Sequence, residues 1–126
     1  MLVTRIAPDF TATTVMPDNS FKDITLSDYR GKKVFLFFYP LDFTFVWPSE
    51  LIAFNNRIDK FEKRNVQVLG CSVDSQFSHL RWKEMDVNKG GIGNIKYPLV
   101  SDLDKSISRA YDVLLNSTPA TVLIND

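Results

Sequence analysis

The sequence predicts an α/β fold in which an open, mostly parallel sheet is covered by helices on both faces. The continuous apolar run Val34–Tyr39 has the pattern of a strand buried on both faces, as in the middle of a parallel sheet. Apolar residues then recur at spacings of three and four, which predicts one helix from about Pro48 to Arg64. Strand and helix patterns alternate along the rest of the chain, in the order β-β-β-α-β-α-β-α-β.

The first two strands are predicted to form an N-terminal β-hairpin. Phe10–Met16 is rich in β-branched residues, Pro17–Ser20 is a cluster of turn residues, and Phe21–Thr25 has the pattern of a second short strand. The third strand is the buried run, and Pro40 ends it.

The later elements are marked by apolar residues and by polar helix caps. Asp74 or Ser75 can cap a second helix, and Asp102 can cap a third. The apolar residues expected on the buried faces of the three helices are Leu51, Phe54, Ile58 and Phe61; then Phe77, Leu80 and Met85; then Leu103, Ile107 and Tyr111. The remaining strands are predicted at Val66–Val73, Pro98–Val100 and Ala120–Ile124. Because such a sheet usually carries one more covering element, the C-terminus is expected to be shortened.

Composition predicts one globular domain spanning residues 1–126 and excludes several functions. Hydrophobic residues make up 44% of the chain and charged residues 24%, which is ordinary for a soluble globular protein. Fifteen basic and fifteen acidic residues cancel, so no nucleic-acid partner is expected. The segment Met1–Pro8 has no apolar run long enough for a signal peptide or a membrane span, which predicts a cytoplasmic location.

The sequence offers few residues for redox or metal chemistry. Cys71 is the single cysteine, so no internal disulfide can form. It lies in an apolar strand, which favours a packing role; the alternative is a substitute reactive thiol. His79 is the single histidine and has no partner for a metal site, so it is assigned to the surface or the packing of a helix. No metal or cofactor is expected.

The turn between the buried strand and the first helix is the best candidate for a site. Ligands of open α/β sheets gather outside the carboxyl ends of the strands. A group at position 47 would face the start of the helix at Pro48, where free N–H groups and the dipole favour an anion. A cysteine there would be a reactive thiolate with its pKa below the usual value of about 8.5. Thr44 could donate a hydrogen bond to that anion, but the residue at position 47 is Trp.

Pro40, Thr44 and position 47 fit the Pro-x-x-x-Thr-x-x-Cys motif of the peroxiredoxins, and the chain resembles the typical two-cysteine, or alkyl hydroperoxide reductase C, type of that family. The resemblance covers essentially the whole chain and is specific. The further matching segments are Ala7–Phe10, Ser72–Leu80, Gly90–Gly93 and Pro98–Asp102.

The resemblance implies a thioredoxin-like fold and reduction of peroxides by a peroxidatic cysteine, which becomes a sulfenic acid. A resolving cysteine would then form a disulfide, and a thioredoxin-like reductant would reopen it. Carried over by position, Trp47 occupies the peroxidatic site, Thr44 would bind the peroxide, Pro40 would shield the pocket, and Glu50 would help to orient an arginine. The resemblance also implies a homodimer or a higher ring oligomer.

Three departures from the family pattern predict that the chain is inactive or nearly so. Trp47 has an N–H donor but no nucleophile, so the reaction has no first step. The arginine that the family has before its last strand is missing from Ser117–Thr121. The C-terminal tail that carries the resolving cysteine in the family is expected to be missing. Either natural loss of the cysteine or its deliberate substitution would account for Trp47.

Two other functions are weighed against a disabled peroxidase. The first is a non-catalytic assembly or binding module, either a ring-forming subunit or a chaperone-like surface, to which Phe43, Phe45, Trp47 and Phe77 could contribute interface anchors. The second is a thioredoxin-type reductase, which would need two cysteines in the segment Trp47–Glu50, where there is none.

Overall fold

The computed structural model describes residues 5–39, 48–113 and 120–124. In chain order, the strands are β1 (Thr11–Val15), β2 (Phe21–Thr25), β3 (Lys33–Phe38), β4 (Val66–Ser72), β5 (Leu99–Ser101) and β6 (Ala120–Ile124). The α-helices are α1 (Pro48–Asn56), α2 (Ile58–Lys63), α3 (Gln76–Glu84) and α4 (Ser106–Ala110), and short 3-10 turns lie at Leu26–Tyr29 and Val87–Lys89. The predicted order of strands and helices is therefore confirmed, except that two helices, α1 and α2, stand where one was predicted. No helix in these described ranges is long and apolar enough to cross a membrane.

The strands form one sheet in the order β2-β1-β5-β4-β3-β6. The expected hairpin is present, because β1 and β2 pair in antiparallel register with Val15 opposite Phe21. The expectation of a mostly parallel sheet is wrong. Only β3–β4 and β4–β5 are parallel, whereas β1–β2, β1–β5 and β3–β6 are antiparallel. The sheet is mixed because β1 and β6, the strands that flank the parallel centre β5-β4-β3, both run against it.

The strand β3 is buried on both faces, as its apolar run predicts. Val34, Leu36 and Phe38 point into a core that also holds Cys71 and Tyr111, and α4 covers this face. The alternate residues of β3, with Tyr39, point into a second core on the other face, which the helices α1, α2 and α3 cover. Successive side chains of a strand point to opposite faces, so one apolar run supplies two cores.

The helix predicted from Pro48 to Arg64 is two helices, α1 and α2, with a break at Arg57. The predicted apolar face is correct, because Leu51 and Ile58 are buried in the second core, with Phe54 and Phe61 partly buried against it. At the break, the Arg57 N–H donates to the Phe54 carbonyl at 3.1 Å, three residues back, so the last turn of α1 is tighter than an α-helical turn. Just before it, the Asn55 amide donates to the Asn94 carbonyl at 3.2 Å, and its side-chain oxygen accepts from the Lys96 N–H at 2.7 Å. Asparagine is also a weak helix former.

The buried face of α3 differs from the prediction. Ser75 caps the helix, since its hydroxyl accepts the Ser78 N–H at 3.2 Å, as one of the two predicted caps. Phe77, however, is 65% exposed, and the buried residues of the helix are His79, Trp82 and Lys83. The predicted face was wrong because it was drawn through apolar residues, whereas the fold buries the polar side chains of His79 and Lys83.

Asp102 binds the start of α4 as predicted, although the residue after it does not pack inward. Its carboxylate accepts the N–H groups of Ile107 at 2.9 Å and Ser108 at 2.8 Å. Ile107 and Tyr111 are buried, whereas Leu103 lies in the preceding turn and is 65% exposed.

Candidate active site

The candidate site lies at the edge of the sheet where β3 and β4 end side by side. These strands are parallel, with Phe38 aligned to Cys71, and the Tyr39 N–H continues the ladder by donating to the Cys71 carbonyl at 3.0 Å. The helix α1 begins at Pro48, one short connection after Tyr39. The carboxyl ends of the two parallel strands lie side by side, and each strand is followed in the chain by a helix, α1 after β3 and α3 after β4. Ligand sites of α/β sheets usually lie at such an edge.

Three of the four residues predicted for this site, Pro40, Thr44 and Trp47, lie outside the described residues. The same holds for residues 117–119 of the region Ser117–Thr121, from which the family's arginine is missing. The fourth, Glu50, lies in the first turn of α1 and is exposed. An acidic side chain is favoured there by the helix dipole. The roles assigned to these four residues thus remain predictions.

The position of α1 is fixed by polar contacts from the segment before β5. The Tyr97 hydroxyl donates to the Leu51 carbonyl at 2.8 Å, and both residues are buried. Asn55 holds the same helix through its two bonds to Asn94 and Lys96. The helix α1 is therefore held by a buried hydrogen bond near its start, at Leu51, and by two hydrogen bonds near its end, at Asn55.

Behind the site, Tyr39 and His79 form a buried polar pair that the sequence analysis missed. The Tyr39 hydroxyl lies 3.3 Å from His79 Nδ1, and His79 Nε2 lies 3.0 Å from the Val100 carbonyl oxygen. Because a carbonyl can only accept, Nε2 carries the proton and donates to Val100. In the neutral ring, Nδ1 is then the acceptor and the Tyr39 hydroxyl donates to it.

Cys71 is a packing residue, as the sequence analysis favoured. Its side chain is fully buried in the first core, on the opposite face of the sheet from Tyr39. Burial raises the pKa of the Cys71 thiol well above its usual value, and the negative charge of Asp102 raises it further. A thiol in this environment stays protonated at neutral pH, which is the opposite of a reactive cysteine.

The helical spacing of the sequence could have identified the buried face of α3. His79, Trp82 and Lys83 are spaced by three and four along a helix, so they share one face. The contact between Tyr39 and His79 had no local signal, because the two residues are far apart in the chain. Within the described ranges, no three His, Cys, Asp or Glu side chains form a group that could hold a metal ion.

Comparisons with known proteins agree with the resemblance. The sequence model of the AhpC/TSA family matches residues 3–126. The chain is 59% identical over 108 residues to Peroxiredoxin-1 of Gallus gallus, covering 86% of this chain and 54% of that protein. It is 58% identical over 114 residues to a mitochondrial thioredoxin-dependent peroxide reductase of Drosophila melanogaster, covering 90% of this chain and 48% of that protein. The chain thus spans about half the length of these curated relatives.

A solved structure shows the same fold. The reduced 2-Cys peroxiredoxin of Plasmodium vivax superposes with a TM-score of 0.94 at 51% sequence identity, covering 99% of this chain and 79% of that structure. The thioredoxin-like fold expected from the resemblance is therefore confirmed. With a matching family model across nearly the whole sequence and relatives above half identity, the chain belongs to the AhpC/TSA family and is similar to its two-cysteine peroxiredoxins.

Proposed function

We propose that this chain carries a peroxiredoxin scaffold whose thiol peroxidase activity is lost or nearly lost, with Trp47 at the peroxidatic position. The observation that supports the proposal most strongly is the state of Cys71. It is the single cysteine of the sequence, it is fully buried, and its raised pKa keeps it as the thiol.

The reaction needs a thiolate that can reach the peroxide. The thiolate sulfur attacks one oxygen, the O–O bond breaks, and the second oxygen leaves as water or an alcohol while the sulfur becomes a sulfenic acid. An indole at position 47 cannot take this part, because it has one N–H donor and no nucleophilic sulfur. Cys71 cannot replace it, because the thiol lies in the opposite core.

The other predicted site residues keep their assigned roles within this proposal. Thr44 would donate to the peroxide and Pro40 would shield the pocket. Glu50 would orient an arginine supplied from elsewhere. The exposure of Glu50 in the first turn of α1 leaves its carboxylate accessible for such a contact.

The test is hydrogen peroxide consumption with excess dithiothreitol. The unaltered chain and a Cys71→Ser variant should both match the background without protein. A Trp47→Cys variant should consume peroxide and form a sulfenic acid that dimedone traps, because the helix start lowers the pKa of a thiol there. Dithiothreitol replaces the resolving cysteine and the natural reductant.

Clear consumption by the unaltered chain that disappears in Cys71→Ser would contradict the proposal and make Cys71 a working thiol. Failure of the Trp47→Cys variant to form a sulfenic acid, in a chain with an unchanged circular dichroism spectrum, would show that the scaffold itself no longer supports the reaction.

Substrates and partners follow from the relatives and form part of the proposal. The Drosophila relative is named as a thioredoxin-dependent peroxide reductase. By that likeness, peroxides and a thioredoxin-like reductant are the substrate and partner of the scaffold, and a homodimer or ring is its assembly. We also propose a cytoplasmic, reducing location, which suits a chain whose single cysteine is buried as a free thiol.

The second candidate function is a non-catalytic assembly or binding module, and an exposed aromatic pair favours it. Phe21 is 43% exposed and Phe77 is 65% exposed, and their rings pack edge to face with centroids 5.3 Å apart. Exposed aromatic residues are enriched at protein interfaces. Size-exclusion chromatography with light scattering on the unaltered chain and on Phe77→Ser distinguishes an assembling module from an inert monomer.

A further inference from the structure

The hydroxyl of Tyr39 is directed at a base. His79 Nε2 is committed to the Val100 carbonyl, so the lone pair of Nδ1 receives the phenolic proton of Tyr39. The distance of 3.3 Å is at the long end for a hydrogen bond, and such contacts tighten when a proton moves across them. The phenol oxygen and an imidazole nitrogen are thus held in contact, as proton transfer between them requires.

The pair is shielded from water. Tyr39 is 4% exposed and His79 is fully buried. A phenol that loses an electron becomes a very strong acid, so it must transfer its proton at the same time. The imidazole of His79 is in contact with the phenol and can take this proton. The Val100 carbonyl then stabilises the imidazolium, because a hydrogen bond from a charged donor is stronger than one from a neutral donor.

Two other buried tyrosines serve as comparisons for Tyr39, because their hydroxyls donate to backbone carbonyls. Tyr97 is also buried in the second core, but its hydroxyl donates to the Leu51 carbonyl at 2.8 Å. Tyr111, on the other face, donates to the Pro8 carbonyl at 2.8 Å. A backbone carbonyl accepts a hydrogen bond but is too weak a base to take the proton. Of these three hydroxyls, that of Tyr39 is the one in hydrogen-bond contact with an imidazole nitrogen.

Trp82, which is itself oxidisable, packs against Tyr39 and can pass an electron vacancy to it. The Trp82 ring packs against Tyr39 with centroids 5.9 Å apart, and its indole N–H donates to the Gly90 carbonyl at 2.9 Å. Tryptophan and tyrosine are the aromatic side chains that oxidise most easily. An electron vacancy formed on Trp82 can therefore pass to Tyr39, where proton transfer to His79 stabilises it.

We propose that Tyr39 is a redox-active tyrosine that quenches oxygen-centred radicals in one-electron steps, with His79 as its proton acceptor. The radical RO• takes one electron and, with a proton from solvent, becomes ROH. The Tyr39 O–H bond breaks, its proton binds to His79 Nδ1, and a neutral tyrosyl radical remains. A one-electron donor such as ascorbate reverses the step, and the proton returns. Neither Trp47 nor any thiol takes part, so this site is independent of peroxide reduction.

The first test uses azidyl radicals from pulse radiolysis as the oxidant and the tyrosyl absorption as the readout. The unaltered chain is compared with Tyr39→Phe, with the matched control Tyr97→Phe, and with Tyr29→Phe, which reports direct oxidation of a more accessible tyrosine. We expect Tyr39→Phe to lose most of the long-lived tyrosyl signal and Tyr97→Phe to keep it. Equal signals in the Tyr39→Phe and Tyr97→Phe variants would overturn the proposal.

The role of His79 is tested with His79→Gln. A glutamine amide can accept from Tyr39 and donate to Val100, but it is not a base. We expect tyrosyl formation to slow several-fold, and the rate difference between H₂O and D₂O to change. An unchanged rate and an unchanged isotope effect would remove His79 from the mechanism.

A measurement on the unaltered chain keeps the proposal testable even if the variants fold poorly. After proton transfer, His79 Nδ1–H donates back to the radical oxygen of Tyr39, so high-field electron paramagnetic resonance should detect an exchangeable proton on that oxygen, replaced by deuterium in D₂O. A radical on Tyr97 would face a carbonyl and lack this proton. A tyrosyl spectrum without the exchangeable coupling would overturn the assignment.

Discussion

Asp102 shows how one buried charge organises the polypeptide around it. The side chain is 1% exposed, yet its carboxylate accepts the N–H groups of Ile107 and Ser108 and the Ser108 hydroxyl, the last at 2.6 Å. Its own N–H donates to the Ser72 carbonyl at 2.8 Å, which continues the contact between β4 and β5. Hydrogen bonds to a charged acceptor offset the cost of burying it.

We expect Asp102→Ala to lower the free energy of unfolding by about 3 kcal/mol, because two buried backbone N–H groups would lose their acceptor. Urea titration followed by circular dichroism measures the change. Asp104→Ala is the matched control: Asp104 is exposed and binds the Ser106 N–H at 3.0 Å in the same turn, so its loss should be much smaller. Equal losses for the two variants would show that burial of the carboxylate is not the cause.

At the scale of elements, α3 is joined to the N-terminal hairpin by a buried lysine. Lys83 is 3% exposed, and its ammonium donates to the Met16 carbonyl at 3.1 Å, just before the turn of the hairpin. Burial lowers the pKa of Lys83 to about 8, and the charge of Asp18 in that turn opposes the shift. The contact therefore joins two elements that are distant in sequence and responds to pH.

This depressed pKa predicts that the contribution of Lys83 to stability rises with pH between about 8 and 10.5. In that window the unfolded chain still binds the proton while the folded chain has released it, so raising the pH favours the folded state. Below pH 8 both states hold the proton, and the cost of burying the charge is constant.

The measurement is the difference in free energy of unfolding between the unaltered chain and Lys83→Met, taken at several pH values. The difference is needed because the raised pKa values of Cys71, Tyr97 and Tyr111 lower stability at alkaline pH in both proteins. We expect it to shift in favour of lysine from pH 8 to pH 10. A flat difference would mean that the lysine keeps an ordinary pKa in the folded protein.

At the scale of the whole molecule, local patterns predicted the elements better than their arrangement. The run Val34–Tyr39 is buried on both faces as expected, because continuous apolarity depends on burial alone. The direction of neighbouring strands does not change that pattern, so the antiparallel pairings of β5 with β1 and β6 with β3 had no signal in the sequence.

The errors within elements have tertiary causes. Phe77 lies on the exposed side of α3, where its ring packs on Phe21 of the edge strand, and Asn55, at the end of α1, binds a loop that is distant in sequence. For the site, the motif located the edge of the sheet, while the roles of Pro40, Thr44 and Trp47 remain predictions. The pairing of Tyr39 with His79 joins residues from two elements, so only the folded structure could reveal it.

Because Cys71 is buried, the reactivity of its thiol measures local opening of the folded domain. It is the single thiol in the sequence, and the intact fold gives it no contact with solvent. A thiol reagent such as Ellman's can therefore label it only when the sheet around β4 separates. The rate of labelling under native conditions, without denaturant, therefore measures how often the centre of the domain opens.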